Sequence, residues 1–283
     1  MERGLTKTTL SLIHLLLLTL LCSAPVLANE FRTRLHQAVG EKTLSEDVIA
    51  EIRFGRQVAA RILGREKLYS DEALTHYINL IGTALALHSS RNELEYHFAV
   101  LDKSYANAYS TPGGYVFITK GAIDMAQDEA ELAAVLAHEV AHVTHRHIVK
   151  DLNIHGTERA NLSGLTRILG AFSDTTRVAL SKTVDKAMSI LFNIGYNTRE
   201  ELEADQTATL LLAETGYDPT ALKRYLQRLA TAMQASHGNE TQTHPPSAER
   251  QQALDTLYAA EGLDRLSFPT VRARFNKVTG RTP

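Results

Sequence analysis

Two histidines and a glutamate with the spacing of a metal site lie near the middle of the chain. His138, Glu139 and His142 form the pattern H-E-x-x-H inside a stretch whose apolar residues recur at helical steps. On a helix, residues i and i+4 share one face, so both imidazoles can bind one zinc ion. The pattern predicts a hydrolytic centre in which zinc acidifies a water and Glu139 takes its proton as general base. The alternative is an amphipathic helix with two exposed histidines.

A catalytic zinc site normally takes three protein ligands, so a third must come from elsewhere in the chain. His145 cannot supply it, because it lies seven residues after His138, about 10 Å along a straight helix. The segment Thr198–Asp205 opens another predicted helix and places Glu201 and Asp205 on one face. One carboxylate can bind the metal while the other accepts a hydrogen bond from a ligand histidine.

Spacing alone does not choose among the acidic residues of this segment. Thr198 and Glu201 also fit a capping box, in which the Glu201 side chain would turn back to the backbone at the start of the helix. Glu200 and Glu203 are rival ligands at neighbouring positions. The residues by themselves therefore leave the third ligand open.

The remaining elements follow from hydrophobic periodicity and turn residues. Helices are predicted at 44–63, 71–87, 182–194 and 251–262. The stretches 96–101 and 115–119 are rich in aromatic and β-branched residues and predict strands. The turn Pro112-Gly113-Gly114 lies between them, so we expect an antiparallel pair beside the metal helix. Its edge can bind an extended peptide as an added strand, or it can only cover the core.

Length and charge limit the class of protein. The chain has 283 residues, of which 44% are hydrophobic, enough for one large core. Its net charge is −2, so no overall positive charge argues for nucleic-acid binding.

The first 28 residues have the layout of a secretory signal peptide. Arg3 and Lys7 precede the uncharged run Leu10–Leu21, and small residues lead to a cleavage site after Ala28. Alternatives are an uncleaved membrane anchor and a lipoprotein signal at Cys22, although a leucine precedes that cysteine. Cys22 is the only cysteine, so a cleaved chain has no disulfides, which suits a bacterial periplasm.

Three segments taken together resemble the gluzincin metallopeptidases, the family of the CAAX prenyl protease, HtpX, the mitochondrial Oma protease and periplasmic BepA. They are the H-E-x-x-H motif, Thr198–Asp205 and Thr243–Arg250, which reads T-H-P-P-S-A-E-R. The resemblance extends over most of the chain, from about residue 44 to residue 250, and includes the N-A-Y-S-T-P-G-G stretch at 107–114.

The resemblance implies roles that spacing does not. Glu201, as the Glu of the family's E-x-x-x-D motif, becomes the third zinc ligand, with Asp205 supporting a ligand histidine. His244 lies near the active site in similar enzymes, where it stabilises the oxyanion or caps the metal in a resting state. Arg250 supports the acidic residues, and the strand before the Pro-Gly-Gly turn is the family's substrate-binding edge.

We therefore expect an α+β, mostly helical, zincin-type metallopeptidase domain with a small antiparallel sheet beside the H-E-x-x-H helix. A signal peptide at 1–28 precedes a domain at 29–283, with its core at about 44–262 and a tail at 263–283. The expected activity is zinc-dependent endopeptidase, with one Zn²⁺ per chain, acting in the periplasm on unfolded or misassembled envelope proteins. Peripheral association with the outer membrane or its assembly machinery is compatible with this role. The competing function is a chaperone-like assembly factor for outer-membrane proteins with little proteolysis.

Overall fold

The computed structural model describes residues 45–152, 174–235 and 243–282. These residues are mostly helical and include one three-stranded sheet, as the predicted fold class requires. The helices are α1 (Ser45–Arg65), α2 (Glu72–Leu87), α3 (Lys120–Met125), α4 (Glu129–Thr144), α5 (His147–Asp151), α6 (Asp174–Ser189), α7 (Thr198–Thr215), α8 (Ala221–Ala235), α9 (Ala248–Glu261) and α10 (Arg272–Thr279). The strands are β1 (His97–Leu101), β2 (Ala108–Thr111) and β3 (Tyr115–Thr119).

Helix α4, which carries the H-E-x-x-H motif, lies at the centre of the fold. Every one of its residues is buried, and α2, α7, α8 and the sheet pack around it. Its many alanines keep the helix narrow, so that neighbouring helices can approach from several sides, while Leu132, Leu136 and Val140 fill the core. Asp128 caps its N-terminus by accepting a hydrogen bond from the Glu131 amide at 2.9 Å. The motif is therefore on a helix that neighbouring elements bury along its whole length.

The strand pairing differs from the predicted simple antiparallel pair. The sheet has the order β1-β3-β2, in which β1 and β3 are parallel and only β2 and β3 form an antiparallel hairpin. Pro112-Gly113-Gly114 does make the hairpin turn, with Gly113 and Gly114 at φ 77° and 93°. Residue patterning did not predict the strand Ala108–Thr111, in which all four residues are buried. Burial on both faces removes the alternation of apolar and polar residues that identifies a strand in sequence.

The hairpin turn is held against α1. A Cβ at Gly55 would lie 1.5 Å from the carbonyl oxygen of Pro112, so only glycine permits this approach. Glu51, one turn earlier on α1, is fully buried and contacts the guanidinium groups of Arg91 at 3.2 Å and Arg146 at 3.1 Å. Because Arg146 follows α4, this carboxylate connects α1 to the end of the metal-motif helix.

Two boundaries predicted from the sequence differ from those in the structure. The helix expected at 182–194 is α6, which begins at Asp174 and continues as a π-helical turn at Ile190–Ile194. The residues after 262, expected as a tail outside the core, contain α10, whose Phe275 is fully buried against the main core. Periodicity missed this element because α10 has only eight residues and buries one side chain.

The predicted signal peptide and Cys22 lie outside the described residues, as does most of the glycine-containing connection after Asp151. Within the described ranges, no helix is both long and apolar enough to cross a bilayer.

Glu129 anchors the first turn of α4 to α2, to α10 and to the connection between α7 and α8. Its carboxylate is fully buried and accepts hydrogen bonds from the hydroxyls of Tyr77 and Tyr217, both at 2.7 Å, and from the guanidinium of Arg274. Burial raises the pKa of Glu129, but these hydrogen bonds outweigh it and the net pKa is lowered. A carboxylate with a lowered folded-state pKa stabilises the fold above its unfolded pKa, and loses that contribution as the pH falls through the folded value.

We predict that Glu129→Gln lowers the free energy of unfolding of the metal-free protein by about 1–3 kcal/mol at neutral pH, since hydrogen bonds to a buried charge are weakened. The difference from wild type should shrink below about pH 4.3, where the unfolded glutamate is protonated. Urea unfolding at several pH values measures it, with the exposed Glu95→Gln as control. A pH-independent difference would contradict the assignment.

Candidate metal centre and catalytic site

Helices α4 and α7 bring the predicted metal ligands together. The Nε2 atoms of His138 and His142 lie 3.0 Å apart. The Glu201 carboxylate on α7 approaches both, with Oε2 at 3.4 Å from His138 Nε2 and Oε1 at 3.6 Å from His142 Nε2. All three side chains are buried. Nitrogen and oxygen donors from two helices thus face one common point.

The rival acidic residues of α7 have other partners. The capping box at its start is formed by Asn197 and Glu200, each bonding the other's backbone amide, and not by Thr198 and Glu201. Glu203 lies on the side of His147, at 3.4 Å from its Nε2. Glu201 is therefore the member of this segment that is free to face the two histidines.

Asp205 and Arg250 hold the ligands in place. His138 Nδ1 lies 3.0 Å from Asp205 Oδ1, so its Nε2 is directed at the common point. Arg250, itself only 2% exposed, donates from Nε and Nη2 to Asp205 at 2.7 and 2.6 Å. Its Nη1 lies 2.6 Å from Glu201 Oε2. One guanidinium thus links both acidic residues.

Charges within the site follow from these contacts. Burial raises the pKa of Glu201, but the nearby His244 and Arg250 lower it well below its usual range. Burial also raises the pKa of Asp205, yet Arg250 and His138 lower it overall. The pKa of His142 is lowered by burial and by the charge of His138. Two carboxylates that remain ionised beside a neutral imidazole favour a bound cation.

The donor set fits zinc. Two imidazoles and one carboxylate are the His₂Glu set of catalytic zinc sites, whereas Mg²⁺ and Ca²⁺ take oxygen ligands. Glu139 lies beside this set, and its buried Oε2 has no hydrogen-bond partner. An unpaired buried carboxylate oxygen has a large desolvation cost unless it serves a bound group. The predicted general base is thus positioned to accept a proton.

His244 enters the site from the loop before α9. Its Nδ1 lies 2.8 Å from Glu201 Oε1 and 3.3 Å from His138 Nε2, and its Nε2 lies 3.7 Å from Glu139 Oε1. This position is compatible with both predicted roles, as a hydrogen-bond donor to a reacting oxygen and as an extra metal ligand.

The loop that carries His244 is held by residues that the sequence analysis did not identify. The Thr243 hydroxyl lies within hydrogen-bond distance of the Asn107 side chain, and a Cβ at Gly195 would lie 2.4 Å from the Thr243 carbonyl oxygen. The next residue, Tyr196, stacks on the His142 ring at a centroid distance of 4.1 Å. Neither Gly195 nor Tyr196 belongs to a recognisable spacing, so only the folded chain identifies them.

An apolar pocket, partly open to solvent, adjoins the catalytic side chains. Asn107, His138, Glu139 and His244 form its polar side, next to Ala108. Its apolar side is formed by residues of α4 and α8: Val135, Leu222, Tyr225, Leu226 and Leu229. Helix α8 was not identified from the sequence, and a hydrophobic stripe on a helix by itself indicates only a face turned to the core.

This fold and this donor set define a metallopeptidase domain of the H-E-x-x-H type. The chain matches the model of Peptidase family M48 over residues 72–258, about two thirds of its length, and therefore belongs to that family. The match begins with α2 and ends within α9, so it contains all the residues of the candidate metal centre.

Similar curated proteins bear peptidase names. The chain is 31% identical over 196 residues to the beta-barrel assembly-enhancing protease of Yersinia pestis, covering 66% of this chain and 39% of that protein. It is 28% identical over 181 residues to the Escherichia coli K12 protein of the same name, covering 63% and 37%. It is 27% identical over 183 residues to metalloprotease LoiP of Escherichia coli K12, covering 64% and 69%. The chain thus spans about two fifths of the length of the assembly-enhancing proteases it matches.

Proposed function

We propose that this chain is a zinc-dependent endopeptidase of the bacterial envelope. The observation that carries the proposal is the meeting of His138, His142 and Glu201 beside the unpaired carboxylate oxygen of Glu139. A structural metal site requires the ligands but has no use for a buried, unpaired base next to them.

The side chains divide the reaction between them. Zinc held by His138, His142 and Glu201 would supply Lewis acidity that lowers the pKa of a water and polarises the substrate carbonyl. Glu139 takes the proton as the water oxygen bonds to the carbonyl carbon, and then delivers it to the departing amine nitrogen as the C–N bond breaks. His244 Nε2, near Glu139, donates a hydrogen bond to the developing oxyanion.

The substrate-binding surface follows from the pocket and the edge of the sheet. β2 is the last strand in the sheet order, and Ala108 at its start lines the same pocket as Glu139. An extended peptide added alongside β2 would place one side chain in the apolar pocket. We propose that this pocket selects an apolar residue next to the scissile bond.

The envelope location rests on residues 1–28 and on the relatives whose names refer to β-barrel assembly. We propose that the substrates are unfolded or misassembled envelope proteins and that the enzyme associates peripherally with the outer membrane or its assembly machinery.

A chaperone-like assembly factor with latent proteolysis is the second candidate. The position of His244 favours it, because Nδ1 lies within 3.3 Å of both Glu201 Oε1 and His138 Nε2. A fourth protein ligand there would close the position that a catalytic water needs.

We predict that Glu139→Gln keeps one zinc per chain but abolishes casein cleavage, because the amide cannot take a proton. Zinc content and cleavage should be measured on wild type, Glu139→Gln and His244→Ala. Cleavage by wild type that weakens in His244→Ala assigns His244 to the oxyanion, whereas cleavage that appears only in His244→Ala assigns it to latency. An active, folded Glu139→Gln protein contradicts the mechanism, and zinc without cleavage in every variant favours the assembly factor.

We predict that paired peptides differing only at the residue that enters the pocket are cleaved at different rates. Leucine there should exceed aspartate by at least about tenfold in kcat/KM, since a charge in the apolar pocket loses its hydration. In Leu226→Ala the preference should move towards phenylalanine, because the pocket is wider. Equal rates for both wild-type peptides would contradict the pocket assignment.

We predict that the chain recovered from a periplasmic extract begins at Asn29, because the small residues before it direct signal peptidase to cut after Ala28. N-terminal sequencing measures this, with an Ala28→Arg variant as the control that should block cleavage. An intact N-terminus in the membrane fraction would indicate an anchored enzyme instead.

A further inference from the structure

A second set of polar side chains lies on the side of His142 that faces away from Glu201. His142 Nδ1 is 2.8 Å from His147 Nδ1, and His147 Nε2 is 3.4 Å from Glu203 Oε2. The His147 side chain is fully buried, while that of Glu203 is 31% exposed. Three elements, α4, α5 and α7, thus contribute one residue each to a continuous row that begins at a metal ligand.

The hydrogen-bond donors and acceptors along this row can be assigned from the position of the metal. His142 directs Nε2 at the metal position, so in its neutral form the ring proton is on Nδ1. His147 Nδ1, only 2.8 Å away, must then accept that proton's hydrogen bond. His147 therefore carries its own proton on Nε2, from which it donates to the Glu203 carboxylate. Every donor in this row then has an acceptor, and a metal at His142 Nε2 determines both tautomers.

We propose that His147 and Glu203 are positioning residues that orient His142 for metal binding. They correspond in function to Asp205, which accepts directly from the other ligand, His138. The inference rests on the proposed role of His142 as a metal ligand. His147 lies between His142 and Glu203, because the Glu203 carboxylate contacts His147 and does not contact His142.

The local backbone is arranged to make this contact. On a continuous helix, a residue five positions after His142 would point about 140° away from it. Arg146 interrupts the helix in the left-handed conformation, with φ 57° and ψ 37°, which is uncommon for a non-glycine residue. Its guanidinium is held by the buried Glu51 at 3.1 Å. This break in the helix places His147 next to His142. The unfavourable backbone conformation of Arg146 is therefore what allows the two imidazoles to meet.

Ring contacts fix the planes of both imidazoles. Tyr196 stacks on His142 with an interplanar angle of 17°. His145 stacks on His147 with an angle of 11° and is itself held by the Thr207 hydroxyl, 2.7 Å from its Nε2. His145, which is too far along the helix to bind the metal of His138, thus supports the positioning residue instead.

A competing interpretation is a second metal site formed by His145, His147 and Glu203, which have ligand atoms within 4.8 Å of one another. A metal at His147 Nε2 would place the ring proton on Nδ1, directly opposite the Nδ1 proton of His142. These two protons would repel each other, so a metal at His147 Nε2 is incompatible with a metal at His142 Nε2. The positioning role therefore requires a single zinc per chain.

The test measures zinc affinity without substrate, by competition with a chelating dye. His147→Ala should bind zinc about 10–100-fold more weakly than wild type. Glu203→Ala should also weaken binding, and Glu203→Gln should stay closer to wild type because its carbonyl oxygen still accepts from His147. The double variant His147→Ala/Glu203→Ala should bind zinc no more weakly than His147→Ala, since both residues act through one row.

Arg199→Ala is the matched control: it removes only the exposed partner of Glu203 and should change zinc affinity less than about twofold.

Two further measurements separate positioning from general loss of structure. Thermal melting of the metal-free variants shows whether each is folded, and ring-nitrogen NMR of zinc-loaded wild type should find the His142 proton on Nδ1 and the His147 proton on Nε2. Unchanged affinity in a folded His147→Ala, the opposite His147 tautomer, or a second zinc that disappears in Glu203→Ala would each overturn the proposal. If the affinity pattern holds but no variant cleaves peptides, the endopeptidase proposal fails and the positioning role stands.

Discussion

The interaction on which the site depends is the ion-pair group of Arg250 with Glu201 and Asp205. Two carboxylates brought this close in a buried site would repel each other and take up protons. The guanidinium offsets that repulsion with three short contacts from one planar group, a geometry that lysine cannot reproduce. Because both carboxylates stay ionised, Glu201 can face the histidines as an anion and Asp205 can accept from His138.

The many polar groups buried in this site require hydrogen-bond partners. The chemistry is on α4, a helix whose every residue is buried, so each charged or imidazole group there needs a partner from a neighbouring element. Asp205 partners His138, and His147 partners His142. Glu139 has one carboxylate oxygen without a hydrogen-bond partner, and its side chain lines the pocket. A carboxylate oxygen left without a partner beside a pocket is available to a substrate or a catalytic water.

The apolar packing and the polar site are built by the same helices. α7 supplies Glu201 and Asp205 on one face and Leu210–Leu212 to the core with its later turns. α8 covers the pocket with the leucine stripe that also packs on the core. Rigid elements that are fixed by core packing hold catalytic side chains more accurately than mobile loops. His244 is the contrasting case, because a loop carries it, and Asn107 and Gly195 restrict that loop through Thr243.

The sequence by itself determined what depends on local spacing. H-E-x-x-H places His138, Glu139 and His142 on one face of a helix, and the mostly helical class follows from periodicity, because both depend only on residues a few positions apart. The third ligand was accessible only through resemblance, since Glu200, Glu201 and Glu203 are equivalent by spacing. The folded chain distinguished them, because Glu200 forms a capping box with Asn197 and Glu203 contacts His147. The buried strand β2, the packed α10 and the contact of His147 with His142 likewise required the tertiary structure. Each depends on which distant surfaces meet, and a buried element without alternation or a backbone break at Arg146 leaves no periodic signal in the sequence.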